Sequence, residues 1–513
     1  MDICKIREIR QHLISELLRL RKDGGYWEGS LGSDIQSTAA AIMALRSGGD
    51  HESAAIGIKF LESCQNTDGG WGFAPGIASD LDSSIAALSV LTMCTNEDRY
   101  QPCIKNCQKY CEDYDFKTRQ LLSKLLLFFS GIENDIKLPS INAENLPHPE
   151  KMMFDLATGL KSQNKDLIMS YSKSVNGLTS WRGLVAITGI AYLSLLKMGL
   201  NDEMTKQWIK KAQNPDGGFP HTNSLAVWDT VIASLGLIDA GIDPASSEWL
   251  ISVQDNGGGW YWDADGRGYV DLDDIGYALL VLLKSGYSLS DYRLSNTVRF
   301  ICDNQNTDGG FPTFEKGGTT DNRSYWNCSV PDVTSHVLIA LKTANLSIEA
   351  EKAERWLYKN KADGIWKGFW FKDDLYSTKS ALEAINNEFI DFNKTIDLNK
   401  TIDLNKTQKS VLSLQNDNGS FGSPESSIEE TAWGISALIE SNTDDTDALN
   451  VSVNWLCDKV KETLKASYVG ALPLFNKRYS DSIFPIAFAL DAFNKYLDSG
   501  EGNSHAYGGG KFT

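Results

Sequence analysis

Two kinds of apolar pattern alternate along the chain, and both carry the period of a helix. One is amphipathic, with apolar residues three and four positions apart, as in Ala54–Cys64 and Leu294–Asn304. The other is a run of small and apolar residues with few polar breaks. It recurs at Ser37–Leu45, Ser83–Leu91, Asp229–Leu237, Asp274–Leu283, Val333–Leu341, Ser377–Ala384 and Thr431–Leu438. Strand patterns are scarce. The prediction is an all-α fold of repeated helix–turn–helix pairs, which either stack into a solenoid or close into concentric rings.

A phrase marks the joints: Gln-Asn, two turn residues, Gly-Gly and an aromatic. It stands at Gln65–Trp71, Gln213–Phe219 and Gln305–Phe311, with degenerate copies at Gln254–Trp260 and Gln415–Phe421 and worn ones at Lys22–Trp27 and Asp363–Trp366. Glycine reaches positive φ without strain, so Asp-Gly-Gly makes a tight turn after a helix. The aromatic packs back, and the Gln bridges free backbone groups at a neighbouring helix end. Between about Thr95 and Arg182 the phrase is missing, although Thr118–Phe129 still reads as helix. That gap predicts two helical barrels, over 21–212 and 213–498. Residues 1–20 form a helix packed on the second barrel, and 499–513 form a frayed tail. The tandem Asn-Lys-Thr-Ile-Asp-Leu within Phe389–Lys406 reads as a duplicated surface loop.

Charge narrows the partners. With 49 Lys and Arg against 67 Asp and Glu, the chain carries a formal −18, which argues against nucleic acid or an anionic membrane surface. Nine cysteines in 513 residues are sparse and unevenly spaced, as in a cytoplasmic protein with reduced thiols. Cys103, Cys107 and Cys111 fall on one helix face with no local His, so they predict packing and no metal site. Met1–Asp23 lacks the apolar core of a signal peptide, and no run of 18 apolar residues predicts a membrane span. Peripheral membrane contact remains open to this chain.

Candidate chemistry concentrates in Tyr269-Val270-Asp271-Leu272-Asp273-Asp274-Ile275-Gly276. An Asp before an apolar run is an ordinary helix N-cap, and acids suit a first helical turn. Capping needs only one or two carboxylates, and here there are three. Close carboxylates repel when all are ionised, so one keeps its proton to higher pH and becomes a candidate general acid.

Helical Gln…Gly-Gly-aromatic repeats around an Asp-x-Asp-Asp motif resemble class II terpene cyclases, the squalene–hopene cyclase-like enzymes and bacterial diterpene cyclases. The likeness runs from about residue 20 to 495. Trp228-Asp229-Thr230, the aromatics Trp260 and Trp262, Asp332-Val333-Thr334-Ser335-His336-Val337-Leu338, Trp370 with Tyr376 and Thr378, and Phe484-Pro485 each match a family segment. Protein prenyltransferase β subunits share such a barrel, but their Asp/Cys/His zinc set has no match.

The resemblance implies two (α/α) barrels in the βγ architecture and a reaction begun by protonating an alkene. It makes Asp273 the proton donor, with Asp271 and Asp274 holding it neutral. His336 would contact the acid, with Asp332, four residues earlier on the same helix, orienting the imidazole. Trp228, Trp260, Trp262, Trp370 and Tyr376 would stabilise the migrating carbocation without capturing it. The implied substrate is a linear polyprenyl chain of C15–C20, with a prenyl diphosphate slightly favoured; the alternative is a non-phosphorylated chain such as a prenylated aromatic acid or a triterpene. No cofactor is obligatory. A diphosphate would bring Mg2+ and need cations, for which Arg267, Lys316, Arg323, Lys477 and Arg478 are candidates. Ser33–Ala39 replaces the Tyr-Asp-Thr-Ala-Trp segment of diterpene cyclases, which leans away from a diphosphate. The contrasting class is a catalytically silent helical-repeat scaffold, against which the intact acidic motif and His336 speak.

Overall fold

The computed structural model of the chain describes residues 2–93, 100–111, 120–136, 138, 148–315, 327–387, 404–472 and 477–501. Six helices close a ring: Ala226–Asp239, Leu272–Lys284, Pro331–Thr343, Leu375–Asn386, Ile428–Glu440 and Phe484–Glu501, each packed on the next and the last on the first. Outside them lie Ser247–Val253, Tyr292–Asn304, Ser347–Lys359, Leu404–Leu412, Thr446–Glu462 and, against the closing helix, Ile3–Leu20. The inner helices are the small-residue runs, and the outer ones are amphipathic. A helix buried on all sides needs apolar residues all round, whereas one facing solvent needs a single stripe. The all-α expectation is borne out. Strands in the described residues amount to two hairpins, Ser172–Val175 with Leu178–Trp181 and Gly470–Leu472 with Lys477–Tyr479.

A second, smaller ring carries its own core. Ile35–Ser47 packs on Leu81–Thr92 and on Val185–Lys197, and Leu121–Phe129 closes the circuit between those two. His51–Ser63, Gln101–Cys111, His148–Ser162 and Glu203–Lys211 lie around it. Cys107 and Cys111 are buried on their helix, and among the described residues no His, Cys, Asp and Glu group is placed to hold a metal. No helix among them is long and apolar enough to cross a membrane. The tandem segment lies mostly outside the described residues, but Leu404–Lys406 opens a helix and is no loop. Of the tail, 502–513 lies outside the description.

The repeat phrase explains how the helices are held. The first glycine of the pair sits at φ +88° in Gly69, +91° in Gly217 and +99° in Gly309, where other residues are strained. The preceding Asp carboxylate accepts from the next glycine N–H, as in Asp68 to Gly70 at 2.9 Å. The Gln amide donates to its own turn and to a neighbouring outer helix: Gln305 to Gly309 O and Glu349 O, both at 2.9 Å. Where the aromatic is Trp, its indole N–H closes on the end of the preceding helix, Trp71 on Leu61 O and Trp260 on Leu250 O, each at 2.7 Å. The aromatic backbone N–H donates to a hydroxyl on an inner helix, Phe311 to Thr334 at 2.9 Å and Phe421 to Thr431 at 3.0 Å. Trp181 makes the same pair of bonds, to Thr188 and Ile168 O, with a hairpin in place of the phrase. This is why the sequence pattern passes over it.

Two of these staples join distant stretches of chain. Trp27 donates to Thr230 at 3.0 Å, and Phe219 donates to Thr38 at 2.8 Å. Accordingly Trp27 and Leu31 share the core of the larger ring, while Phe219 belongs to that of the smaller. On these contacts we propose a division in which 35–219 is a barrel inserted between the first outer helix and first inner helix of the other. Replacing Thr230 by Val keeps the shape but strands the buried Trp27 N–H. Stability should fall by about 1–3 kcal/mol, read as a lower urea midpoint, with helical content unchanged.

Candidate active site

The acid cluster begins as a helix cap. Asp271 is the N-cap of Leu272–Lys284 and its Oδ1 accepts from Asp273 N at 2.9 Å. Asp273 and Asp274 follow in the first turn, both buried. A helix N-terminus favours ionised carboxylates, but burial penalises the charged form here and wins. Burial raises the Asp273 carboxyl to about 8. Burial, then Asp273, raises Asp271 well above the usual carboxylate range; burial, then Asp271, does the same for Asp274.

Gly276 lets the next inner helix come close: a Cβ there would lie 2.9 Å from the backbone of His336 and Val337. Across this contact His336 Nδ1 meets Asp273 Oδ1 in a short hydrogen bond. His336 is fully buried, which pushes its pKa down to about 3 and keeps the imidazole neutral. Its Nε2 lies 3.1 Å from the Tyr376 hydroxyl. This corrects the role expected of Asp332. That residue does share the helix, but its Oδ2 accepts from the backbone N–H of Trp370 at 3.0 Å and Phe369 at 3.3 Å, so it pins the tryptophan loop. The imidazole is oriented by Tyr376, which therefore stands behind the acid and not on the cavity wall.

The cavity holds about 1150 Å³ of empty space, its mouth included, and runs from the three carboxyls to the smaller barrel. Trp228, Trp262 and Trp370 line it, with Tyr269, Phe314, Phe371 and Tyr479. Trp262, Tyr269, Phe314 and Trp370 form one collar, their ring centroids 5.5–6.2 Å apart between neighbours. Trp228 lies 5.7 Å from the His336 ring and 5.8 Å from that of Tyr277. Among the described residues, the indole N–H groups of Trp228 and Trp262 are buried without a hydrogen-bond partner. Trp260 is a correction: as a repeat staple it turns into the packing beside Leu250 and does not reach the cavity. The far wall, Ser37, Leu122, Met153, Leu184, Ala186 and Ile187, comes from the smaller barrel.

Several of these residues carry no sequence signal of their own. Tyr269 and Phe314 are legible only as neighbours of the acidic motif and of a repeat aromatic. Asp229 and Asp481 are further buried carboxyls, raised chiefly by burial, Asp481 to about 7. Of the cation candidates, Arg267 is buried and its guanidinium donates to the carbonyls of Leu178 and Val175 at 3.0 and 2.9 Å, fixing a hairpin. Arg478 lies in the second hairpin. Lys316 and Arg323, and the Lys477 side chain, lie outside the described residues. Among those described, no Lys or Arg lines the cavity. Arg182 stacks on Tyr269, 4.5 Å from the ring centroid.

Comparison with known proteins agrees with this architecture. The squalene-hopene cyclase C-terminal domain matches residues 224–496, and the N-terminal domain of the same family matches 11–128. The chain belongs to the squalene–hopene cyclase family. It is similar to the squalene–hopene cyclase of Alicyclobacillus acidocaldarius, 23% identical with 87% of this chain and 90% of that one covered. It is also similar to squalene-tetrahymanol cyclase of Tetrahymena thermophila, 25% identical over 54% of this chain and 48% of that one. The chain thus spans about half the length of several curated relatives that it matches. The fold is that of ent-copalyl diphosphate synthase from Streptomyces platensis, with a TM-score of 0.68 at 15% identity, covering 96% of this chain and 99% of that one.

The raised Asp273 carboxyl has a measurable consequence. Its stabilising contribution is full below the unfolded value of about 3.9 and is lost as pH rises through about 8. Asp273→Asn removes that dependence. Between pH 5 and 8 the variant should lose less stability than the parent, by up to roughly 4 kcal/mol, checked by urea unfolding at both pH values.

Proposed function

We propose that the chain is a class II terpene cyclase, which protonates one end of a linear polyprenyl chain and guides the cation through ring closure. The observation that carries this reading is a carboxyl that keeps its proton to about pH 8 at the head of a cavity walled by aromatic rings. An alkene is a very weak base, so the donor must be neutral, dry and assisted. In the productive arrangement the mobile proton sits on Asp273 Oδ2. Oδ1 then accepts from His336 Nδ1–H, and the Tyr376 hydroxyl donates to Nε2. Each bond strengthens as negative charge develops on Asp273, so the acid is assisted most when the proton leaves.

The cation then meets ring faces, which attract it without forming a bond. Trp228, Phe371 and Tyr479 share the cavity wall with the acid, and the collar of Trp262, Tyr269, Phe314 and Trp370 adds further faces. The buried carboxyls of Asp271 and Asp274 stay neutral, which removes nucleophiles that would capture the cation early.

For the substrate we propose a C15–C20 chain. A non-phosphorylated head group is favoured by a wall that carries no Lys or Arg among the described residues. A prenyl diphosphate would draw its cations from elsewhere, with Arg182 beside Tyr269 at hand. The protonated Asp cluster does not suit Mg2+, so an ion accompanying a diphosphate would need other ligands. Incubation with geranylgeranyl diphosphate, a geranylgeranylated aromatic acid and squalene, each with and without Mg2+, followed by mass spectrometry, tests the class and the head group together. Absence of any cyclised product would reject the cyclase.

Two variants test the acid, and a third tests the aromatic wall. Asp273→Asn should abolish turnover, since an amide cannot deliver the proton. Loss of one charge-assisted bond in His336→Ala should lower kcat by on the order of ten- to a hundredfold, with product identity kept. Trp370→Ala should instead release partly cyclised or prematurely quenched products. Product profiles at matched conversion separate these effects, and an altered ring count at normal rate in the His336 variant would contradict its role at the acid.

A further inference from the structure

A carbocation made by protonation must lose a proton or capture water before product leaves. Resting on the cyclase function proposed above, we infer that His221 is the base that ends the reaction, taking a proton from carbon to leave an alkene.

His221 belongs to the segment that crosses between the two barrels. Its carbonyl accepts from Val185 N at 2.9 Å, and the adjacent Thr222 pairs with Leu184. Both His221 and Thr222 line the cavity, beside the wall that the smaller barrel supplies. The imidazole stands 5.0 Å from the Tyr479 ring. Tyr479 in turn lies near the acid: burial raises its hydroxyl pKa well above the usual value, and the Asp273 carboxylate is the next cause. Asp273, Tyr479 and His221 thus line one cavity, with Tyr479 beside the base.

The other polar groups on the wall are poorly suited to this step. Asp271 and Asp274 hold their protons, and the hydroxyls of Ser37, Thr222 and Tyr479 are weak bases. A neutral imidazole is the side chain that accepts protons near neutral pH. Behind it, Pro220 and Asn223 of the same segment border a separate polar crevice with Gln213 and Asn214.

The step balances. A C–H bond beside the cationic carbon breaks, its electron pair becomes the alkene π bond, and the proton passes to an imidazole nitrogen of His221. Asp273, left as a carboxylate by the first step, regains a proton from solvent as His221 releases one. Product and substrate are isomers, with no oxygen gained.

The parent, His221→Phe and His221→Gln are incubated with farnesyl diphosphate, geranylgeranyl diphosphate, a geranylgeranylated aromatic acid and squalene, and products of any chain turned over are compared at matched conversion by mass spectrometry. The parent should release an unhydrated isomer. In both variants, hydrated products or an alkene isomer foreign to the parent should rise at least about tenfold relative to the parental alkene. Circular dichroism checks that each variant is folded, and His221→Gln guards against overpacking by Phe. A hydrated parental product overturns the assignment without recourse to any variant, as does an unchanged alkene profile in a folded one. Should the parent turn over none of the four chains, it is the cyclase function that fails. Turnover with an unchanged profile rejects His221 alone.

Discussion

Excluding water from one carboxyl is the constraint on which this structure depends. Holding the Asp273 proton to about pH 8 means that ionising it in place costs on the order of 5 kcal/mol more than in water. The helix N-terminus beneath it favours the opposite state, but by about 1 kcal/mol or less in most settings, so desolvation decides. A neutral carboxyl alone would be a weaker acid than a solvated one. His336 offsets this, because an N–H held against Oδ1 interacts more strongly with the carboxylate than with the acid. The site thus combines a dry environment that keeps the proton on with a donor that stabilises the state after it leaves.

The frame that achieves this is built from repeated small bonds. Each turn that keeps its Gln ties outer helices to one another and to an inner helix through one Gln amide, one aromatic and one hydroxyl. Inner helices packed this way approach closely where a side chain is missing, as Gly276 does against the backbone of His336. That approach brings the His336 ring within reach of the Asp273 carboxyl. Charge is not banned from the core but is balanced there. Lys379 bonds Glu383 at 2.9 Å and Asp491 at 3.3 Å, and Lys495 pairs with the same two acids. Lys379 also lies 5.6 Å from the centroid of the Tyr376 ring, so this group sits behind the hydroxyl that orients His336.

Much of this is legible in the residues because it rests on local geometry. A Gly-Gly turn, an N-cap and a run of small residues have the same meaning in any helical fold, so the helix pairs and the acidic first turn could be placed without coordinates. Trp181 shows the limit, since a hairpin does the work of the phrase with different residues. Spacing likewise places Asp332 and His336 on one helix face, but it cannot say which partner each will choose. Asp332 turns to the backbone of Phe369 and Trp370, and Tyr376 takes the imidazole. Trp260 and Trp262 are two residues apart, which in regular extended chain would put them on one face, yet the fold sends one into packing and the other to the cavity.

By itself, the sequence determined the helical repeat, the clustered carboxylates and the family to which the chain belongs, because these depend on residue type and on neighbours a few positions away. Only the tertiary structure decided that Trp27 would serve a helix some two hundred residues later, that a glycine would let His336 reach Asp273, and that His221 would share a wall with the acid. Those outcomes depend on which surfaces meet when the rings close, and on the loss of water that closure brings. A carboxyl becomes a proton donor only in that enclosed setting, which no local pattern specifies.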